Sequence, residues 1–132
     1  MNVLIADTNP EVLRALRLLL EQNTHFQLVG ESRDAVNLFA QVTRHCPDIV
    51  ILDANLHGLQ TSRKLSRNPL TELVETLRLL CPSMRVIALS SQPNAVKECT
   101  QAAVDFFACK SDPPEVLFGI LDNIYQEKNI TI

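Results

Sequence analysis

The stretch Pro47-Asp48-Ile49-Val50-Ile51-Leu52-Asp53-Ala54-Asn55 constrains the fold more than any other part of the chain. Ile49, Val50, Ile51 and Leu52 form an unbroken apolar run, β-branched except for Leu52 and without helical spacing. Such a run suits a strand covered on both faces, as the central strands of parallel sheets are. It ends abruptly in an acid. A carboxylate directly after a buried strand is carried to the carboxyl edge of the sheet, where open α/β folds hold their ligands. Asp53 is therefore the first candidate for a working residue. An Asp that merely opens a turn is the competing reading.

The remaining segments fit a sheet around that strand. Asn2 to Ala6 reads as a short strand that Asp7 ends, just as Asp53 ends the later one. Thr8-Asn9-Pro10-Glu11 then signals a helix start, with Asn9 as N-cap, Pro10 at the first helical position and Glu11 near the positive helix end. Leu13, Leu16 and Leu20 recur at helical spacing. Phe26 to Glu31 alternates like a strand, and Asp34 opens a second helix that buries Ala35, Leu38, Phe39 and Val42. Leu56 to Asn68 has neither period and reads as an enlarged loop. Pro69 restarts a helix, Arg85 to Leu89 forms a fourth strand closed by Ser90-Ser91, and a weakly apolar helix covers about Asn94 to Ala102. Val104 to Ala108 is the fifth strand, followed by Cys109-Lys110. Pro113 and Pro114 start a last helix.

Strict alternation of five strand–helix pairs predicts a three-layer, doubly wound α/β domain with a five-stranded parallel sheet. In the flavodoxin-like strand order 2-1-3-4-5, strands one and three are neighbours at the switch point. That order brings Asp7 beside Asp53, with Ser90 and Lys110 from the ends of strands four and five alongside. The whole chain, 1–132, reads as one domain with no output domain in it.

Composition excludes several classes. A net charge of −3 and the absence of a Lys/Arg block argue against a general polyanion binder. No apolar run approaches the ~18–20 residues of a membrane span, and no signal peptide pattern opens the chain. Cys46, Cys81, Cys99 and Cys109 are scattered without metal-finger spacing, and in a chain with a full core they read as buried free thiols.

With these polar groups placed, the sequence resembles the receiver domains of two-component response regulators, to about Glu127. The carriers are Val3-Leu4-Ile5-Ala6-Asp7, Leu28-Val29-Gly30-Glu31-Ser32, Pro47 through Asp53, Val86-Ile87-Ala88-Leu89-Ser90, and Lys110. The second and third stretches are most similar to receivers that precede helix-turn-helix output domains. The resemblance implies that Asp53 accepts a phosphoryl group from a histidine kinase or phosphotransfer protein, giving an acyl phosphate. It implies a Mg2+ site made by Asp7, Asp53 and the backbone carbonyl of Asn55, with Thr8 in the position of a fourth member. Lys110 matches the lysine that pairs with the carboxylate, Ser90 the switch hydroxyl, and Phe107 the aromatic that changes rotamer with it. An ionised carboxylate needs no base for such chemistry, only positioning and charge neutralisation.

Three positions depart from the family pattern. Thr8 stands where a second adjacent acid is usual, which weakens the expected Mg2+ site. Ser111 follows the lysine where receivers usually have a cis proline, and a non-proline cis bond costs about 2.5–4 kcal/mol, so a different loop path there could move Lys110. The loop after Asp53 is enlarged, with His57 in place of the common proline.

The resulting expectation is a cytoplasmic, phosphorylation-controlled signalling module that is not an enzyme. It would switch a surface of helix four, strand five and helix five, reach DNA only through an output domain outside this chain, and be capable of forming a homodimer. A degenerate receiver that serves as a phosphorylation-independent interaction module is the first alternative. A flavodoxin-like nucleotide or flavin binder is a second, although Asp7-Thr8-Asn9-Pro10 contains no glycine-rich phosphate cradle. A small hydrolase with Asp53 as nucleophile is the most distant.

Overall fold

The run Ile49–Asp53 forms β3, buried along its whole length at the centre of a parallel sheet. A computed structural model describes residues 1–56 and 69–129. The order of elements is β1 (Asn2–Ala6), α1 (Pro10–Glu21), β2 (Gln27–Ser32), α2 (Ala35–His45), β3, α3 (Pro69–Leu80), β4 (Arg85–Ser90), a 3-10 turn (Pro93–Ala95), α4 (Val96–Gln101), β5 (Phe106–Cys109) and α5 (Pro114–Asn129). The strands lie in the order β2-β1-β3-β4-β5, all parallel. The flavodoxin-like order expected from the alternation is the one observed.

Side chains of β3 alternate between two cores, as the period of a strand requires. Ile49 and Ile51 join Val3, Ile5, Ile87 and Leu89 under α1 and α5, where Leu13, Leu16, Leu20, Leu117, Leu121 and Ile124 close the layer. Val50 and Leu52 join Leu4, Val86 and Ala88 under α2, α3 and α4, against Leu38, Val42, Leu73 and Leu77. Asp7 and Asp53 fall in the register of the α1/α5 face. Ser90 and Phe107 fall in that of the opposite face.

Local signals explain the helix starts. Asn9 Oδ1 accepts from the Glu11 amide and caps α1 before Pro10, and Asp34 accepts from the Asn37 amide to cap α2. The end of the Gln41 side chain occupies the space over Gly30 that a Cβ would take. Gln41 itself donates to the Glu31 carbonyl and the Ser32 hydroxyl. The fourth helix is shorter than expected, because Pro93 starts a 3-10 turn and only Val96–Gln101 is α-helical. The fifth strand starts later than expected, at Phe106.

The reading of all four cysteines as free thiols is corrected. Cys46 and Cys81 form a disulfide with a Cα–Cα distance of 5.6 Å. Cys46 ends α2 in the left-handed conformation, with φ 35°, and Cys81 follows α3 directly. The bond thus ties the carboxyl ends of two neighbouring helices. Sequence spacing alone gave no reason to pair them, because 35 residues separate them and only the packing of α2 on α3 brings them together. Cys99 is free and buried, as expected, whereas Cys109 is free and half-buried. The enlarged loop and His57 lie outside the described residues.

Candidate functional site

Backbone hydrogen bonds carry the sheet one residue past its strands. The Asp7 amide donates to the Ser32 carbonyl at 3.0 Å, the Ala54 amide to Leu89 at 2.8 Å and the Lys110 amide to Ser90 at 2.8 Å. The polar side chains at this edge therefore stand on backbone fixed by the ladder. Asp7 is 1% exposed and Asp53 7%. Carboxylates buried this deeply need a cation or strong hydrogen bonds to remain charged.

That cation is Lys110. Its Nζ lies 2.7 Å from Asp7 Oδ2 and 3.4 Å from Asp53 Oδ1. Three elements thus bring their groups to one point, β1 through Asp7, β3 through Asp53 and β5 through Lys110. The lysine leans toward Asp7 and spans to Asp53. The Asn9 amide donates to Asp7 Oδ1 at 2.9 Å, and the Asn55 amide to Asp53 Oδ1 at 3.2 Å. Asp7 Oδ2 has no hydrogen bond of good geometry, so its compensation is the charge of the ammonium. The departure at Ser111 does not displace Lys110. No cis peptide bond occurs among the described residues, and the lysine still reaches both acids.

The other sequence candidates take distinct places. Ser90 is fully buried, and its hydroxyl oxygen accepts from the Gln92 amide at 3.0 Å. Phe107 is half-buried and packs against the α2–α3–α4 core. Thr8 is half-buried beside Asp7. Asn9 is used as a helix cap, and Glu11 is exposed on the first turn of α1. Arg33 was missed by the sequence reading. Its Nη2 donates to the Thr8 carbonyl at 3.2 Å. The available signal was its position directly after Ser32, the last residue of β2, which puts it at the same edge as the two acids.

The donor set suits a hard divalent cation in part. Two buried carboxylates converge on one positive charge, and one of them carries an oxygen without a hydrogen bond. Thr8 contributes no charge, and among the described residues no group of three or more His, Cys, Asp or Glu side chains is placed to hold a metal. The residues therefore fit Mg2+ only in part. Beside Lys110, a groove of about 430 Å³ opens between α1 and α5, lined in part by Val12, Leu16, Leu19, Pro113 and Leu117.

The doubly wound parallel sheet in the order β2-β1-β3-β4-β5 defines a flavodoxin-like domain, with two acids and a lysine meeting at its carboxyl edge. The chain belongs to the response regulator receiver domain family, whose pattern residues 3–121 match. It is 30% identical over 118 residues to the nitrate/nitrite response regulator protein NarP of Escherichia coli, covering 87% of this chain and 50% of that protein. It is 25% identical over 128 residues to the nitrate/nitrite response regulator homolog of Haemophilus influenzae, covering 96% of this chain and 57% of the relative. The chain thus spans about half the length of these curated relatives. Among solved structures it resembles the isolated receiver domain of RcsB from Salmonella enterica with the phosphomimetic BeF3−, at a TM-score of 0.80 and 24% identity over 96% of this chain and 88% of the other. It also resembles RcsB bound to promoter rprA, at a TM-score of 0.77 and 25% identity over 93% of this chain and 67% of the other.

Proposed function

We propose that Asp53 is the phosphoacceptor of this receiver domain and that its phosphorylation controls a partner-binding surface. The observation that carries the reading is the convergence of Asp7 and Asp53 on Lys110 at the carboxyl edge of the sheet. A carboxylate oxygen of Asp53 attacks the phosphorus of a phosphohistidine on a sensor kinase or phosphotransfer protein. The phosphorus–nitrogen bond breaks, and the electron pair leaves with the imidazole. Lys110 neutralises phosphoryl oxygens as they approach, and Asn55 steers the carboxylate through its amide.

Asp7, Asp53 and the Asn55 carbonyl would hold Mg2+, with Thr8 offering at most a hydroxyl; when bound, the ion screens charge on the phosphoryl oxygens. Ser90 would turn its hydroxyl from the Gln92 amide toward a phosphoryl oxygen, and Phe107 would move in step on the α4 side. The short α4 is the element most readily displaced by such a change.

The likeness to RcsB bound to a promoter supports a place in transcription control, in which an output domain beyond this chain would touch DNA. No described helix is long and apolar enough to cross a membrane, and we read the domain as cytoplasmic from its family. Disulfides persist mainly in oxidising compartments, so a reducing cytoplasm would hold Cys46 and Cys81 as thiols and leave the domain to its core packing. Family membership favours a signalling domain over the flavin, nucleotide and hydrolase readings.

The experiment is incubation with acetyl phosphate and Mg2+, read by intact mass. A gain of one phosphoryl group that hydroxylamine removes and Asp53→Asn abolishes supports the reading. No gain in folded protein favours the phosphorylation-independent interaction module, which Thr8 and the lean of Lys110 toward Asp7 already motivate.

A further inference from the structure

The Cys46–Cys81 bond joins two residues of unequal access. Cys46 is exposed, whereas Cys81 is buried at 1% exposure. Thiol–disulfide exchange begins where an incoming thiolate can reach a sulfur, so it enters this bond by way of Cys46. The backbone points the same way. Cys46 holds a left-handed conformation at φ 35°, which a residue with a Cβ occupies at a cost and which glycine usually supplies at a helix end. Two restraints keep it there, the bond itself and its amide, which donates to the Val42 carbonyl at 2.8 Å. Opening the bond removes the first.

Neither helix needs the bond to find its seat. α2 is held through Ala35, Leu38 and Val42, and α3 through Leu70, Leu73, Val74 and Leu77. Around Cys81 the backbone is fixed separately, its amide donating to Leu77 at 2.9 Å and its carbonyl accepting from Met84 at 3.2 Å. The Cys81 sulfur lies 3.9 Å from the Pro47 carbonyl, an acceptor for the thiol once the bond opens. The reduced pair therefore stays side by side, with no buried donor stranded. In a reducing compartment, exposed disulfides of this kind form and break in service.

We propose that Cys46 and Cys81 are a reversible thiol–disulfide pair, in which Cys46 exchanges with low-molecular-weight thiols and disulfides such as glutathione and Cys81 resolves the product. In oxidation, the Cys46 thiolate attacks one sulfur of glutathione disulfide, whose S–S bond breaks and releases one glutathione thiolate. The Cys81 thiolate then attacks Cys46 Sγ, and the second glutathione leaves. Two electrons pass from the protein to the small disulfide, and the two cysteine protons end on the two glutathione thiols. Reduction runs the steps backwards, with glutathione attacking Cys46 Sγ and Cys81 leaving as thiolate. None of this depends on Asp53 accepting a phosphoryl group.

The test keeps the chain in glutathione buffers without denaturant and reads its thiols by intact mass and peptide mapping. Excess reduced glutathione should open the bond while circular dichroism stays that of the folded domain, and excess glutathione disulfide should close it again. In the reduced wild type, iodoacetamide should take Cys46 first and reach Cys81 only on unfolding. Cys81→Ser, without the resolving thiol, should gain one glutathione on Cys46, and Cys46→Ser should gain none on Cys81. A bond that opens only in denaturant, or a reduced chain that no longer folds, makes it a fixed staple and overturns the proposal. Equal labelling of both thiols in the folded wild type overturns it too, and that measurement decides alone if Cys81→Ser fails to fold.

Discussion

At the amino edge of the sheet, Asp48 and Asp105 each hold several partners; at the carboxyl edge, Asp7 and Asp53 share one lysine. Asp105 Oδ2 accepts from the Val86 amide at 2.7 Å and from Arg78 at 3.0 Å, while its Oδ1 lies 3.5 Å from Arg85 Nε. Arg85 goes on to Glu127 of α5 at 2.6 Å. Asp48 accepts from the Asn2 amide and from Lys128, both at 2.7 Å. The Cys46–Cys81 bond lies on this same side, where α2 and α3 end. Acids saturated by several donors hold strands and helices in register. At the other edge two buried acids share one cation, and Asp7 Oδ2 takes no hydrogen bond.

The contrast can be broken by experiment. The largest effect should come from reducing the disulfide, since closing a loop with a sequence separation of 35 is worth about 4 kcal/mol in the chain-entropy account. Urea denaturation with and without dithiothreitol measures it, and Cys46→Ser should reproduce the reduced curve. Next comes Asp105→Ala, which strands the Val86 amide and leaves Arg78 and Arg85 without their shared acid. It should cost about 2–3 kcal/mol in the same assay.

The matching change at the other edge, Asp53→Asn, should leave stability within about 0.5 kcal/mol or raise it, while abolishing phosphoryl gain. If Asp53→Asn cost as much as Asp105→Ala, the division of labour between the two edges would collapse.

Smaller effects refine the picture. Burial works to raise the Asp48 carboxyl, but hydrogen bonds from Lys128 and the Asn2 amide, with the charges of Lys128 and the N-terminus, hold it below its ordinary value of 3.8. A depressed folded pKa gives stability that is present above the unfolded value and lost as pH falls through the folded one. Asp48→Asn should therefore flatten the acid limb of stability below about pH 4 and leave the neutral range little steeper or shallower. Thiol labelling should show the smallest difference. Burial, aided by Glu98, pushes Cys99 up to about 11, so iodoacetamide at pH 8 should modify the half-buried Cys109 and spare Cys99 until the chain unfolds.

What could be read from the sequence follows the range of each interaction. The Ile49–Leu52 run, the caps at Asn9 and Asp34 and the helix periods are local, and each element formed about where its residues indicated. Asp7, Asp53 and Lys110 were legible because strand order alone places strand ends together. The lean of Lys110 toward Asp7, the Arg33 bond to Thr8 and the Asp105 network were not, because they depend on rotamers and on contacts between distant segments. Cys46 and Cys81 stayed hidden for the same reason. A thiol carries no periodicity, and its partner is chosen by the docking of helices.

The bond between those two cysteines also changes what the chain is as a connected object. Residues 46–81 become a covalent ring, and Asp53 rides inside it. A single cut of the backbone anywhere from 47 to 80 would leave one molecule, with the acid still joined to both flanking halves. Only a cut and a reductant together would release two pieces. For the oxidised chain, integrity of the polypeptide and integrity of the molecule are therefore separate properties, and a gel without reductant reports only the second.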